Sequence, residues 1–276
     1  MVVKDHAVSK ESFIICECQN CHLWFTNPRP DKENIQKYYQ SVNYISHQNK
    51  ANSIINFVYK IVRNFTIKQK IKWLNEKVNK KGRILDFGCG TGHFLKAAKK
   101  NGWDSYGIEP DLYAASYAKT KNKINLINGL VELNNIKKFD AITLFHVLEH
   151  VHDLNKNLSV LIDRLKKRGT LFIALPNRDS KDSKEFKENW ASLDVPRHLY
   201  HFNQPVMDFL ADKFNCRIVD IKPMIFDSYY ITILSNKYSN SNASLWASTK
   251  QGFLSNQFAK EHDNNFSSLL YILKKK

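Results

Sequence analysis

The sequence predicts an α/β fold, a doubly wound and mostly parallel sheet preceded by an N-terminal arm and helical extension. Three observations predict it. Downstream of Arg83, short apolar runs alternate with amphipathic segments of helical length, the rhythm of strand–helix–strand units. Three of the nine glycines crowd into positions 88, 90 and 92, directly after the first of those runs. Upstream, Ile54, Val58, Ile61 and Phe65 recur at steps of four, three and four, the period of a helix with one apolar face.

The elements follow in chain order. Residues 1–48 read as irregular and rich in turn formers, and Pro28 and Pro30 turn the residues before them away from helix. The helix from 54, its stripe widened by Ile55 and Val62, should lie with that stripe on the main domain and keep its lysines in water. Residues 84–87 read as the first buried strand. The glycine loop comes next, then a helix through Phe94, Leu95, Ala97 and Ala98. Further strands are expected at 105–109, 124–127 and 139–145. A helix carrying Leu154, Leu158, Leu161 and Leu165 leads to Gly169 and a fifth strand at 170–176. A polar insertion fills about 177–203. A helix near 205–214, a strand near 217–221, a Ser- and Asn-rich stretch at 235–244 and a last strand at 268–273 complete the chain. The organisation is an arm and helical extension over 1–82, then a main domain over 83–276 that carries the insertion.

Composition bounds the function. At 276 residues with 43% apolar residues, the chain can bury a real core. No run approaches the ~20 apolar residues of a membrane span, and the first residues lack a hydrophobic signal segment, so a cytoplasmic protein is expected. Cys16, Cys18, Cys21, Cys89 and Cys216 are odd in number, which argues for free thiols over a disulfide framework. The net charge is +16, and ten Lys or Arg stand against the single acid Glu76 between residues 50 and 83. Such a balance suits nucleic acid, anionic lipid or a phosphorylated substrate, or simply a solvated helix face.

The loop Asp86-Phe87-Gly88-Cys89-Gly90-Thr91-Gly92 carries the chemistry. Glycine lets the backbone bend sharply and approach a ligand without a Cβ in the way. In open α/β sheets, ligands bind beyond the carboxyl ends of the strands. The spacing is not that of a dinucleotide loop, because His93 stands at the third glycine position of G-x-G-x-x-G. The lysine that closes a nucleotide-triphosphate loop is also absent. Asp86 would repel a pyrophosphate but suits a cofactor with an ammonium and a sulfonium, as S-adenosylmethionine has. Glu109, at the end of the second strand, is placed to accept from both ribose hydroxyls.

Residues 84–92, together with Gly107-Ile108-Glu109-Pro110, resemble the first two motifs of class I S-adenosylmethionine-dependent methyltransferases. The stretch from Phe139 through His146-Val147-Leu148-Glu149-His150-Val151 resembles the fourth-strand motif of their small-molecule branch, which includes ubiquinone-type O-methyltransferases. The resemblance covers roughly 83–221. It implies a Rossmann-like, seven-stranded sheet whose last strand is antiparallel. It also implies a cofactor-binding set of Asp86, Phe87, Gly88, Cys89, Gly90, Glu109, Pro110, Phe145 and His146, with Tyr44 or Tyr39 folding over from the arm. The stretch 128–132 departs from the frequent pattern of an acid near the adenine.

For the acceptor, His146 and His150 follow the fourth strand and His198 lies in the insertion; each has the intrinsic pKa of a general base near neutrality. Trp190, Arg197, His198 and Tyr200 form a dense aromatic and basic cluster that resembles a lid over the acceptor pocket. Arg197 would pair with an acidic acceptor group. The alternative is a loop pinned in a minor core. Cys18 and Cys21 make one C-x-x-C pair, short of the two pairs zinc usually needs, so no metal site is expected. An RNA acceptor is the competing reading, on the basic charge. Against it, His146-Val147-Leu148-Glu149 stands where amino-base methyltransferases carry an Asn-Pro-Pro-Tyr type of motif. A binding module that has lost catalysis is the third reading.

Overall fold

A computed structural model describes residues 1–39 and 54–276. The arm residue Tyr44 and the side chains of Ile54, Ile55 and Val58 lie outside what is described. The chain opens with three short strands, β1 (Val2–Lys4), β2 (Ser12–Glu17) and β3 (Trp24–Thr26), where the sequence predicted irregular structure. The long helix α1 (Ile54–Lys77) follows. Then come β4 (Arg83–Phe87), α2 (His93–Lys100), β5 (Asp104–Ile108), α3 (Leu112–Thr120), β6 (Asn125–Leu126), β7 (Phe139–Phe145), α4 (Leu154–Arg164) and β8 (Leu165–Pro176). Within and after the insertion lie α5 (Lys181–Phe186), β9 (Tyr200–His201), α6 (Gln204–Lys213) and β10 (Cys216–Pro223). The chain closes with α7 (Asp227–Tyr238), α8 (Leu245–Glu261) and β11 (Ser268–Lys275).

The main sheet has seven strands in the order β10-β11-β8-β7-β4-β5-β6. Its central pairs are parallel. β11 inserts antiparallel between β8 and β10, so it alone runs against the rest. Successive residues of a strand face opposite sides, which sorts the core into two layers. Leu85, Ile142, Leu144, Leu171 and Ile173 pack on α4 and α6. Ile84, Ala141, Phe172, Ala174 and Ile272 pack on α1 and α2. Strand order reverses beside β4, between β5 and β7, and there the glycine loop emerges.

Two expectations are corrected. The buried stripe of α1 is Ile71, Trp73 and Leu74, continued by Val78 just past its end, whereas Ile61 and Phe65 stay 51% and 52% exposed. The apolar period ran on past the part of α1 that reaches the sheet. The Ser- and Asn-rich stretch is the bend of a helical hairpin, α7 and α8, that the sequence reading missed. In addition, β9 pairs with β3, so the insertion completes a four-stranded antiparallel sheet with the N-terminal arm. Val3, Ile15, Trp190, Leu193 and Val195 share the small core of that sheet.

Candidate active site

The glycine loop is a bend that only glycine sustains without strain. Gly88, Gly90 and Gly92 have φ of +75°, +51° and +75°, a region costly for other residues. The amides of Gly88 and Cys89 both donate to the carbonyl of Ile108, at 2.8 and 3.0 Å, tying the bend to β5. A Cβ on Gly88 would come within 2.5 Å of the Val147 side chain, while a Cβ on Gly90 would meet nothing within 4 Å. The loop is thus closed at Gly88 by the segment after β7 and open to a ligand at Gly90. Cys89 turns its thiol into the core beneath Gly107. Phe87 packs against the other core layer, and Pro110 is exposed.

Two carboxylates bracket the bend. Asp86, next to last in β4 and 4% exposed, accepts from Thr143 Oγ1 at 2.6 Å across the β4–β7 pair. Burial pushes its carboxyl up to about 7, against the pull of Thr143 and Lys70. Glu109 accepts from the amides of Gly90 and Asp111, at 2.7 and 2.9 Å. A carboxylate has about four acceptor sites, so Glu109 can hold the loop and still accept from ribose hydroxyls.

A cation already occupies this neighbourhood. The Lys70 ammonium, from α1, lies 3.9 Å from the centroid of the Phe145 ring, a cation–π distance. Burial lowers its pKa, and Asp227 and Asp86 counter that loss. Thr66, Gln69, Trp73, Met224, Phe226 and Asp227 line a small pocket around it. Lys70, Thr143 and Asp227 were not singled out from the sequence. Thr143 is signalled only by the β4–β7 register, and Lys70 is one lysine among many on its helix.

The histidines divide by environment. His146, at φ +57°, sits between Glu149 (Nδ1 to Oε1, 3.5 Å) and Asp227 (Nε2 to Oδ2, 3.0 Å). Burial disfavours its charge, but the two carboxylates overcome that and raise its pKa to about 9. The two carboxylates favour the charged ring of His146, which counts against a role as a base. His150 is pushed down to about 4 by burial and by the neighbouring His198. Its Nδ1 lies 3.0 Å from the Arg197 carbonyl, which can only accept and so favours the tautomer with the proton on that nitrogen. His198 likewise points Nδ1 at the Ser192 carbonyl at 2.8 Å. Tyr39 brings its hydroxyl within 3.1 Å of His150. Glu149, His150 and His198 each offer a ligand atom within 4.8 Å of the others, the one such group among the described residues. Apart from the 3.5 Å approach of His146 Nδ1, the Glu149 carboxylate has no hydrogen-bond partner among the described residues. Cys16, Cys18 and Cys21 do not form such a group.

Three acceptor candidates are otherwise engaged. Arg197 is 2% exposed and gives its guanidinium to Asp5 (2.9 Å), Asp194 (2.7 and 3.0 Å) and the Tyr38 carbonyl (2.8 Å). It has no donor to spare for an acidic acceptor, because all its neighbours are internal. Trp190 is buried, with its indole N–H on Asp182 at 2.8 Å. Tyr200 donates to the His152 carbonyl at 3.0 Å, with Arg29 over its ring. These three close the insertion onto the arm; the pinned-loop alternative describes them.

Sheet order, loop and paired carboxylates together define a class I, Rossmann-like methyltransferase fold. The chain belongs to the methyltransferase-domain family, which matches residues 61–221. It is 29% identical over 127 residues to the ubiquinone biosynthesis O-methyltransferase of Pelagibacter ubique, covering 44% of this chain and 51% of that one. Against the Rickettsia prowazekii protein of the same name it is 24% identical over 196 residues, 63% and 74% of the two chains. The chain thus spans only about half the length of several curated relatives. Among solved structures, magnesium protoporphyrin IX methyltransferase from Synechocystis PCC 6803 has a TM-score of 0.58 at 12% identity, covering 89% of this chain and 100% of that one. A methyltransferase from Archaeoglobus fulgidus has a TM-score of 0.51 at 17% identity, covering 81% and 100%. At these identities the likeness is one of fold.

Proposed function

We propose that this protein transfers a methyl group from S-adenosylmethionine to a nucleophilic atom of a small-molecule acceptor. The observation that carries this reading is the glycine bend, open at Gly90 and bracketed by the Asp86 and Glu109 carboxylates. The same surroundings suit a cofactor that brings positive charge. S-adenosylmethionine supplies a methyl carbon made electrophilic by its sulfonium. The open edge at Gly90 admits the ligand backbone. Asp86 neutralises its ammonium, Glu109 accepts from its ribose, and Lys70 pairs with its carboxylate. The protein's further task is to align the acceptor and remove its proton. His150, neutral at physiological pH, is a hydrogen-bonding group for the acceptor, since a pKa of about 4 makes it too weak a base to keep the proton. The ring of His146, between its two carboxylates, fixes the turn after β7 instead.

The O-methyltransferase relatives make a hydroxyl oxygen the first acceptor atom to try. Calorimetric titration with S-adenosylmethionine, followed by a coupled assay for S-adenosylhomocysteine over a panel of phenols, amines and nucleic acids, tests the reading. Binding lost in Asp86→Ala and turnover lost in His150→Ala with affinity intact are expected. No affinity for the cofactor or its demethylated product overturns it. The charge of +16 supports an RNA acceptor as the second reading, and steeply salt-dependent RNA binding with RNA-dependent turnover would favour it.

A further inference from the structure

The hairpin of α7 and α8 is built inside out. Facing inward on α8 are Ser248, Gly252, Ser255, Asn256 and Ala259; facing inward on α7 are Ser228, Thr232, Ser235 and Asn236, with Ile231 the one large apolar residue. These small polar groups bond one another and the segments packed beside them. Thr232 donates to the Ser248 carbonyl at 2.8 Å, Asn236 donates to Ser248 Oγ at 3.1 Å, and Ser255 donates to the buried Asp182 at 2.8 Å. The helices approach so closely that a Cβ on Gly252 would lie 3.0 Å from the Tyr229 Cα. The outward side is the apolar one. Leu245 is 64% exposed, Trp246 78%, Phe253 48% and Leu254 45%.

A helix of a water-soluble protein buries its apolar stripe and solvates its polar one. Reversal means that the outer surface meets something other than water. The outward face of α8 names the partner. Trp246, Lys250, Phe253, Gln257 and Lys260 follow at steps of four, three, four and three, so aromatics and lysines share one face. From Ser228 to Lys260 there are three lysines and no acid. A second copy of the chain would set those lysines against their like, and protein–protein interfaces are poor in lysine. An anionic lipid surface accepts both halves: the rings and leucines enter the headgroup boundary and the ammonium groups meet phosphate. No helix among the described residues is long and apolar enough to cross a membrane, so the contact is with the surface.

We infer that the outward face of α8 docks the protein on an anionic membrane surface. The hairpin begins at Asp227, the partner of His146, so docking sets the candidate site beside the bilayer. The test is co-sedimentation of the full chain with phosphatidylcholine vesicles, with or without phosphatidylglycerol. Binding is expected to the anionic vesicles and to weaken in high salt. The double variant Trp246→Ser/Phe253→Ser should lose about tenfold or more in vesicle affinity, as should Lys250→Glu/Lys260→Glu. Unchanged circular dichroism in both would show that the hairpin remains folded, since all four side chains are exposed. Absence of vesicle binding overturns the inference, as does a double variant that binds like the parent. So does a dimer that the Trp246→Ser/Phe253→Ser change dissociates while the parent ignores lipid.

Discussion

Asp86 shows how one buried carboxyl couples the cofactor to pH. Its ordinary pKa of 3.8 rises to about 7 through burial. The unfolded chain ionises first, so this group lowers stability as pH climbs from about 4 to about 7. A bound ammonium needs the ionised form, so cofactor affinity should rise with pH through about 7, with proton release on binding. Calorimetry in buffers of different ionisation enthalpy measures this, and Asp86→Asn should abolish the dependence. His146 behaves in the opposite sense. Its folded pKa of about 9 exceeds the ordinary 6.5, so its stabilisation is complete below about 6.5 and is lost as pH rises through about 9. Asp227→Asn should pull that titration back toward the ordinary value, visible in the proton resonances of the ring. The glycines and both bracketing acids were legible in sequence because their spacing is local. Lys70 and Asp227 were not, because they reach the loop from elements remote in the chain.

At the scale of elements, the loop between β4 and α2 separates a packing glycine from a ligand-facing one. Gly88→Ala adds a left-handed strain of about 1–3 kcal/mol and a collision with Val147. It should lower the melting temperature by several degrees in a thermal scan. Gly90→Ala meets no neighbour; it should cost less stability and weaken cofactor affinity instead. Equal effects on stability would show that both positions serve only the turn. The strands were readable because continuous apolar runs mark strands buried on both faces. The hairpin of α7 and α8 was not. Its buried side is serine, asparagine and glycine, so periodicity searches for an apolar inner stripe find none.

Over the whole molecule, Arg197 fastens the arm to the insertion through Asp5 and Asp194. Removing one member of a buried charge cluster leaves the others uncompensated, and Arg197→Ala should cost about 3–5 kcal/mol in denaturant unfolding. Lysine should not rescue it, since it lacks the forked geometry. A loss in activity without a loss in stability would return Arg197 to the acceptor. The sequence by itself determined the alternation of strands and helices, the bend at the glycines and the two acids beside it. These rest on local periodicity and on φ values that few residues reach. Only the tertiary structure decided that Arg197 and Trp190 are engaged in packing, that carboxylates surround His146 while burial disfavours charge on His150, and that the last hairpin turns its apolar side outward. Those outcomes depend on which distant groups burial brings within a few ångströms of one another, and no local pattern encodes that.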